Sequence, residues 1–159
     1  MVRYATINDL EEIIDMLNQC KMEMHKRKLN MWDANYPTRQ TIIDDINSKQ
    51  SIVYEHEGKV VAFLAYYPMK TDKYEKYYSN HKNYCLVQRV MVHPDYRRMG
   101  FAQQILGFVE TLGFNSIRLL TRNTNTFSVN LYNKLGYNVV KEDVLDTVVM
   151  QSCEKILKN

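Results

Sequence analysis

A chain of 159 residues that is 45% hydrophobic has the length and apolar content for one core of ordinary size, and it is read as a single domain over residues 1–159. No run of eighteen apolar residues occurs, which excludes a membrane-spanning helix, and a formal charge of +3 with tight basic groups only at Lys26-Arg27-Lys28 and Arg97-Arg98 is too little for a nucleic-acid footprint. Cys20, Cys85 and Cys153 form no C-x-x-C pair, and His25, His56 and His81 lack partners at ligand spacing, so neither a disulfide framework nor a metal is implied.

The chain opens with a short strand, Val2–Thr6, and charged sequence follows; without the apolar centre of a secretory leader, cytoplasmic residence is expected. Leu10, Ile13, Ile14, Leu17 and Met24 mark one face of a helix, with Asn8 and Glu11 at capping-box spacing. Lys26-Arg27-Lys28 closes that helix, where the dipole favours cations. After the connection Met31-Trp32-Asp33-Ala34-Asn35-Tyr36-Pro37-Thr38, Pro37 should open a second helix that buries Ile42, Ile43 and Ile46. Ser51–His56 and Lys59–Tyr67 read as a hairpin turned at Glu57-Gly58, its second strand apolar on both faces. Lys70–Tyr84 carries Tyr74, Tyr77, Tyr78 and Tyr84 among lysines and asparagines. A loop that long is either functional or a solvated excursion with tyrosines folded back onto the domain.

The strand Tyr84–His93 runs through a turn into a helix that should begin near Met99. The first amides of a helix have no intrahelical partner, and the macrodipole adds partial positive charge, so this junction suits a phosphate or pyrophosphate. Gly100 and Ala102 keep the approach open, and Arg97 and Arg98 offer cationic donors. No G-x-x-x-x-G-K-[ST] segment and no G-x-G-x-x-G after a strand competes for that role, and five glycines are too few for a long Gly-rich loop. Beyond a helix carrying Ile105, Leu106 and Val109, Ser116–Thr121 is a strand reached by a crossover that favours parallel placement. A helix from about Thr126 to Leu135 should stop at Gly136 in left-handed conformation, and Tyr137–Lys141 and Val144–Gln151 supply closing strands.

Arg97-x-x-Gly100-x-Ala102 resembles the Q/R-x-x-G-x-G/A signature of the GNAT superfamily, the Gcn5-related N-acetyltransferases. Asn125-x-x-Ser128-x-x-x-Tyr132-x-x-x-Gly136-Tyr137 resembles that family's N-x-x-A-x-x-x-Y-x-x-x-G-F segment, with Ser128 for Ala and Tyr137 for Phe. The Trp32-x-x-x-Tyr36-Pro37 pattern resembles a subset of uncharacterised bacterial members. The resemblance implies an α/β GNAT fold, a mixed central twisted sheet of about seven strands flanked by about four helices. It also implies transfer of an acetyl group from acetyl-CoA to a primary amine by direct attack in a ternary complex.

Carried over by position, the resemblance gives main-chain contacts from Val90, Met91 and Val92 to the pantetheine arm. The pyrophosphate falls to the stretch Arg97, Arg98, Met99, Gly100, Phe101, Ala102 and Gln103, and cofactor contacts fall to Asn125 and Ser128. Tyr132 would protonate the leaving thiolate, a task that suits a phenol whose ordinary pKa, about 10, keeps it protonated at neutral pH. Some relatives carry a Glu five positions before the Asn, where this chain has Leu120. The base is therefore open: Asp33, Glu55, a water oriented by Gln88, or a hydrogen-bonded chain of waters. Trp32, Asp33, Tyr36 and Gln88 are candidates for the acceptor wall. The alternative reading is a non-catalytic domain that binds acyl-CoA as a sensor or scaffold. The acceptor, the acyl length and a homodimer formed through Val144–Gln151 all stay open.

Overall fold

The computed structural model describes every residue except Asn30, Thr147 and Asn159. Among the described residues, seven strands alternate with four α-helices: β1 Val2–Tyr4, α1 Leu10–Lys26, α2 Arg39–Asn47, β2 Ser51–His56, β3 Lys59–Pro68, β4 Tyr84–Val92, α3 Phe101–Glu110, β5 Ser116–Arg122, α4 Thr126–Lys134, β6 Asn138–Leu145 and β7 Val148–Ile156. The strands make one mixed sheet in the order β1-β2-β3-β4-β5-β7-β6, with β4 and β5 parallel as their helical crossover requires. The α/β fold expected from the element order is the one observed. The chain divides into two compact units, Met1–Ala65 with Arg89–Val109, and Tyr66–Gln88 with Glu110–Asn159.

In the first unit, Leu10, Ile13, Leu17 and Met24 of α1 are buried as their spacing predicts, joined by Met16 and Cys20, while Ile14 is half-buried. The α1 cap is Asp9, one residue later than expected, and a 3-10 turn over Ile7–Asp9 precedes it. Thr6, not Asn8, starts the turn: its amide donates to Asp9 Oδ2 at 2.8 Å, because Asp9 is held there by Arg3, 2.8 Å away. Pro37 does not open α2 but stands one residue before its cap. Thr38 is that cap, exchanging 3.1 Å hydrogen bonds with Thr41. The β2–β3 hairpin turns at Glu57 and Gly58, both at positive φ, and β3 is buried along nearly its whole length.

In the second unit, β5 pairs with β4 over Tyr84–Leu86 and with β7 along its full length. The closing hairpin differs from the sequence expectation. β6 runs on to Leu145 and Val144 belongs to it, because the chain breaks at Asp146, which adopts φ +59°, and β7 continues to Ile156. Gly136, at φ +93°, ends α4 as expected: the amides of Gly136 and Tyr137 return to the carbonyls of Asn133 and Tyr132 in a Schellman arrangement. The segment between β3 and β4 is largely exposed, with tyrosines folded back from it. Tyr74 and Tyr78 are buried, Tyr74 donates to Asp143 at 2.8 Å, and the Ser79 amide and hydroxyl both reach Glu154.

Candidate active site

In the first unit, β4 carries the functional stretch into α3. Its strand partner β5 shares register with Tyr84–Leu86. Val61 on β3 accepts from the His93 amide at 2.8 Å and holds the other edge. The side chains of Met91 and Val92 are buried, which leaves main-chain atoms as what this stretch can present. His93 is buried in a turn, its Nδ1 accepting from the Asp95 amide, a capping role and not a catalytic pose.

The helix begins at Phe101, two residues later than expected. Gly100 at φ +81° cannot continue a helix backward, and its carbonyl accepts from the Gln104 amide, which makes Gly100 the cap. The amides of Phe101, Ala102 and Gln103 are thus the free donors of the first turn. A Cβ built on Gly100 meets nothing within 4 Å, so the approach to those donors is open. Ala102 does not guard that approach, as expected from its size, because its side chain is buried in the core; Phe101 is buried as well and packs on Tyr54 and His56. Met99 and Gln103 are exposed.

The two arginines of the motif divide. Arg97, expected as a cationic donor to phosphate, turns its guanidinium inward to Glu23 of α1 at 2.6 Å and to the Val92 carbonyl at 3.1 Å, with Cys20 Sγ at 3.8 Å. It braces the loop. Arg98, at φ +65°, is exposed and stands beside the free amides in sequence, so the exposed cation of the pair is Arg98.

In the second unit, Asn125 caps α4. Its Oδ1 accepts from the Ser128 amide at 3.4 Å and its carbonyl from the Val129 amide at 3.0 Å, which commits part of the side chain expected to meet cofactor. Ser128 is half-buried in the first turn. Tyr132 lies one turn on, 6% exposed, edge-on to Tyr137 with ring centroids 5.7 Å apart. Burial, with Cys153 nearby, pushes its phenol well above the ordinary value, so Tyr132 stays protonated across the physiological range. No hydrogen bond among the described residues engages its hydroxyl. Leu120, where some relatives carry a carboxylate, is 37% exposed and offers no base.

The acceptor-wall candidates fall in both units. Trp32 is half-buried; Asp33 is exposed, but its Oδ1 takes the Asn35 and Tyr36 amides at 2.8 and 3.1 Å, which makes it a turn residue and removes it as a ready base. Glu55 pairs with Arg3 at 2.9 Å and is structural. Tyr36 follows a turn closed by backbone bonds to Asp33 and takes a 2.8 Å hydrogen bond from Arg89 Nη1. Gln88, in the second unit, accepts from Lys70 at 2.8 Å.

Sequence reasoning missed two buried ion pairs. In the first unit Arg89 interrupts β4 at φ +57° and meets Asp45 of α2 through two bonds of 2.6 Å. In the second, Arg118 is 1% exposed, lies over Tyr84 with its guanidinium carbon 3.5 Å from the ring centroid, donates a hydrogen bond to Glu75 and faces Glu154 in an ion pair at 3.5 Å. An arginine among the apolar residues of a strand was the only available sign of either.

The three cysteines are buried thiols. Burial pushes Cys20 and Cys153 to about 11 and Cys85 to about 12, so none is poised as a nucleophile at neutral pH.

The model of the acetyltransferase (GNAT) family matches residues 10–137. The acetyltransferase of the GNAT family from Streptococcus agalactiae 2603 superposes with a TM-score of 0.88 at 26% identity, covering 98% of this chain and 94% of its own. The yncA protein of Salmonella typhimurium, solved with its cofactor acetyl-CoA, shares the fold with a TM-score of 0.75 at 16% identity over 100% of this chain and 94% of that one. "Probable N-acetyltransferase camello" of Xenopus tropicalis is 30% identical over 103 residues, 62% of this chain, and the chain spans 43% of that relative's length.

Proposed function

The chain belongs to the GNAT acetyltransferase family, and from that premise we propose that it moves an acetyl group from acetyl-CoA to the primary amine of a small molecule or peptide by direct attack. The observation that carries the reading is the exposed α3 N-terminus, where Gly100 at φ +81° leaves three free amides beside Arg98 with open space before them. The residues present fit the cosubstrate. The amides of Phe101, Ala102 and Gln103 would hold its pyrophosphate, and the main chain of Val90–Val92 would pair with its pantetheine amides.

Acetyl-CoA supplies the acyl group as a thioester. The amine lone pair forms the new C–N bond, the C–S bond breaks, and Tyr132 gives its proton to the departing sulfur. Its phenol stays protonated at neutral pH, so a proton is in place when the thiolate leaves, while the burial that raises it makes it a weaker acid, not a stronger one. The amine proton passes to water, since Asp33 and Glu55 are committed elsewhere and Leu120 replaces a carboxylate. The resting Cys20, Cys85 and Cys153 support direct transfer over an acyl-enzyme.

Thermal unfolding with acetyl-CoA, and with ATP and NAD as phosphate-bearing controls, tests the cofactor reading. Acetyl-CoA at about a hundred times its dissociation constant should add roughly 2.7 kcal/mol of stability. The controls should shift the midpoint little, and no selective rise would remove the reading. Turnover separates the enzyme from the alternative, an acyl-CoA sensor to which the exposed Leu120 lends support. Tyr132→Phe should lower kcat by about 100-fold with the acetyl-CoA KM nearly unchanged. A protein that binds acetyl-CoA yet turns over no amine is the sensor.

A further inference from the structure

Arg89, Asp45 and Tyr36 form a cluster within the first unit whose chemistry selects the acceptor. Arg89 and Asp45 side chains are 7% and 1% exposed, and the carboxylate takes Nε and Nη2 of the guanidinium at 2.6 Å each. That bidentate pair leaves Arg89 no freedom to swing. Its Nη1 donates to the Tyr36 oxygen at 2.8 Å, while Tyr36 as a residue remains 45% exposed. The backbone beneath the tyrosine is equally fixed, since Asp33 N donates to Tyr36 O at 2.9 Å, Asp33 Oδ1 accepts from the Tyr36 amide at 3.1 Å, and Lys21 donates to the Pro37 carbonyl at 2.5 Å.

A phenol has one proton and a lone-pair oxygen. Here a cationic donor already takes a lone pair of that oxygen, so what Tyr36 has left to offer is a polarised O–H directed away from Arg89. Such a group grips an acceptor atom, best a carboxylate or carbonyl oxygen. An unsubstituted amine cannot supply one, because its single lone pair is used in attacking the thioester. The placement suits this task. Arg89 immediately precedes Val90–Val92, and moving back along β4 from the cradle toward Arg89 is moving from the phosphate end of the cosubstrate toward its acyl end.

We propose that Tyr36, oriented by the Arg89–Asp45 pair, binds an oxygen of the acceptor, so that the substrates are amines bearing a carboxylate or carbonyl near the nitrogen, the amino acid and peptide class, and not plain alkylamines or polyamines. The proposal rests on the acetyl-CoA reading above.

The test is initial-rate kinetics on matched pairs, each α-amino acid against the amine left when its carboxylate is removed, with short peptides alongside, for the unmodified protein and Tyr36→Phe. The oxygen-bearing members should be preferred, and Tyr36→Phe should raise their KM by about tenfold to a hundredfold, leave the acetyl-CoA KM alone, and change the paired amines little. Arg89→Met should do the same if it folds; Tyr36→Phe, which removes one exposed atom, keeps the test decisive if it does not. A preference for the decarboxylated amines, an equal effect of Tyr36→Phe on both members, or silence of every oxygen-bearing acceptor while acetyl-CoA still raises the unfolding midpoint overturns the acceptor assignment alone. Loss of the acetyl-CoA shift itself overturns both readings.

Discussion

Arg97 shows how a residue of a family motif can be committed to partners inside the fold. Its guanidinium is tied to Glu23 and to the Val92 carbonyl, so it fixes the path of the chain into Gly100 instead of adding charge to the cradle. Glu23→Gln keeps the shape and removes the ion pair; the acetyl-CoA KM should rise by about threefold to tenfold with kcat nearly constant, read from initial rates. Asn125 is a second case, since the side chain that the motif assigns to cofactor also caps α4. Both residues were visible in the sequence by spacing. The direction in which each side chain points was not, because Glu23 is 74 residues from Arg97 and only folding brings them together.

At the scale of elements, local rules were sufficient wherever the partner lies within a few residues. The Glu57-Gly58 turn and the Gly136 stop are of this kind: a backbone at positive φ is a local demand that glycine meets. Gly136→Ala would place a Cβ 3.6 Å from Lys155 Cε, an ordinary contact, so its penalty is conformational. About 1 kcal/mol, or a fall of about 2–4 °C in the unfolding midpoint, is expected, checked by calorimetry. Element ends shifted where a distant group intervened. The start of α1 moved to a cap at Asp9, which Arg3 on β1 fixes, and the packing of the segment before β4 depends on Glu154 of β7.

The whole molecule contains charged groups that the fold must keep ionised. Burial alone would raise Glu154, but Ser116, the Ser79 hydroxyl and amide, and Arg118 together hold it below the ordinary carboxylate range. The hydrogen bond from Arg3 lowers Asp9 in the same direction, against its burial. For both, the unfolded chain binds the proton first as pH falls. Their contribution is therefore complete above the ordinary carboxylate pKa and is lost as pH drops through the lowered folded values. The midpoint should fall between about pH 5 and pH 3, and Glu154→Gln should flatten that slope in unfolding scans across the window. Composition and periodicity were enough to determine the α/β element order, because it depends on short-range backbone geometry that a few residues encode, and the resemblance of two spaced motifs pointed to the family. Tertiary structure alone decided that Arg97 braces while Arg98 stays exposed, that Asp33 and Glu55 are committed, and that Arg89, Asp45 and Tyr36 meet. Those outcomes depend on which buried charge finds which partner across the fold, and a buried charge is tolerated only when it finds one.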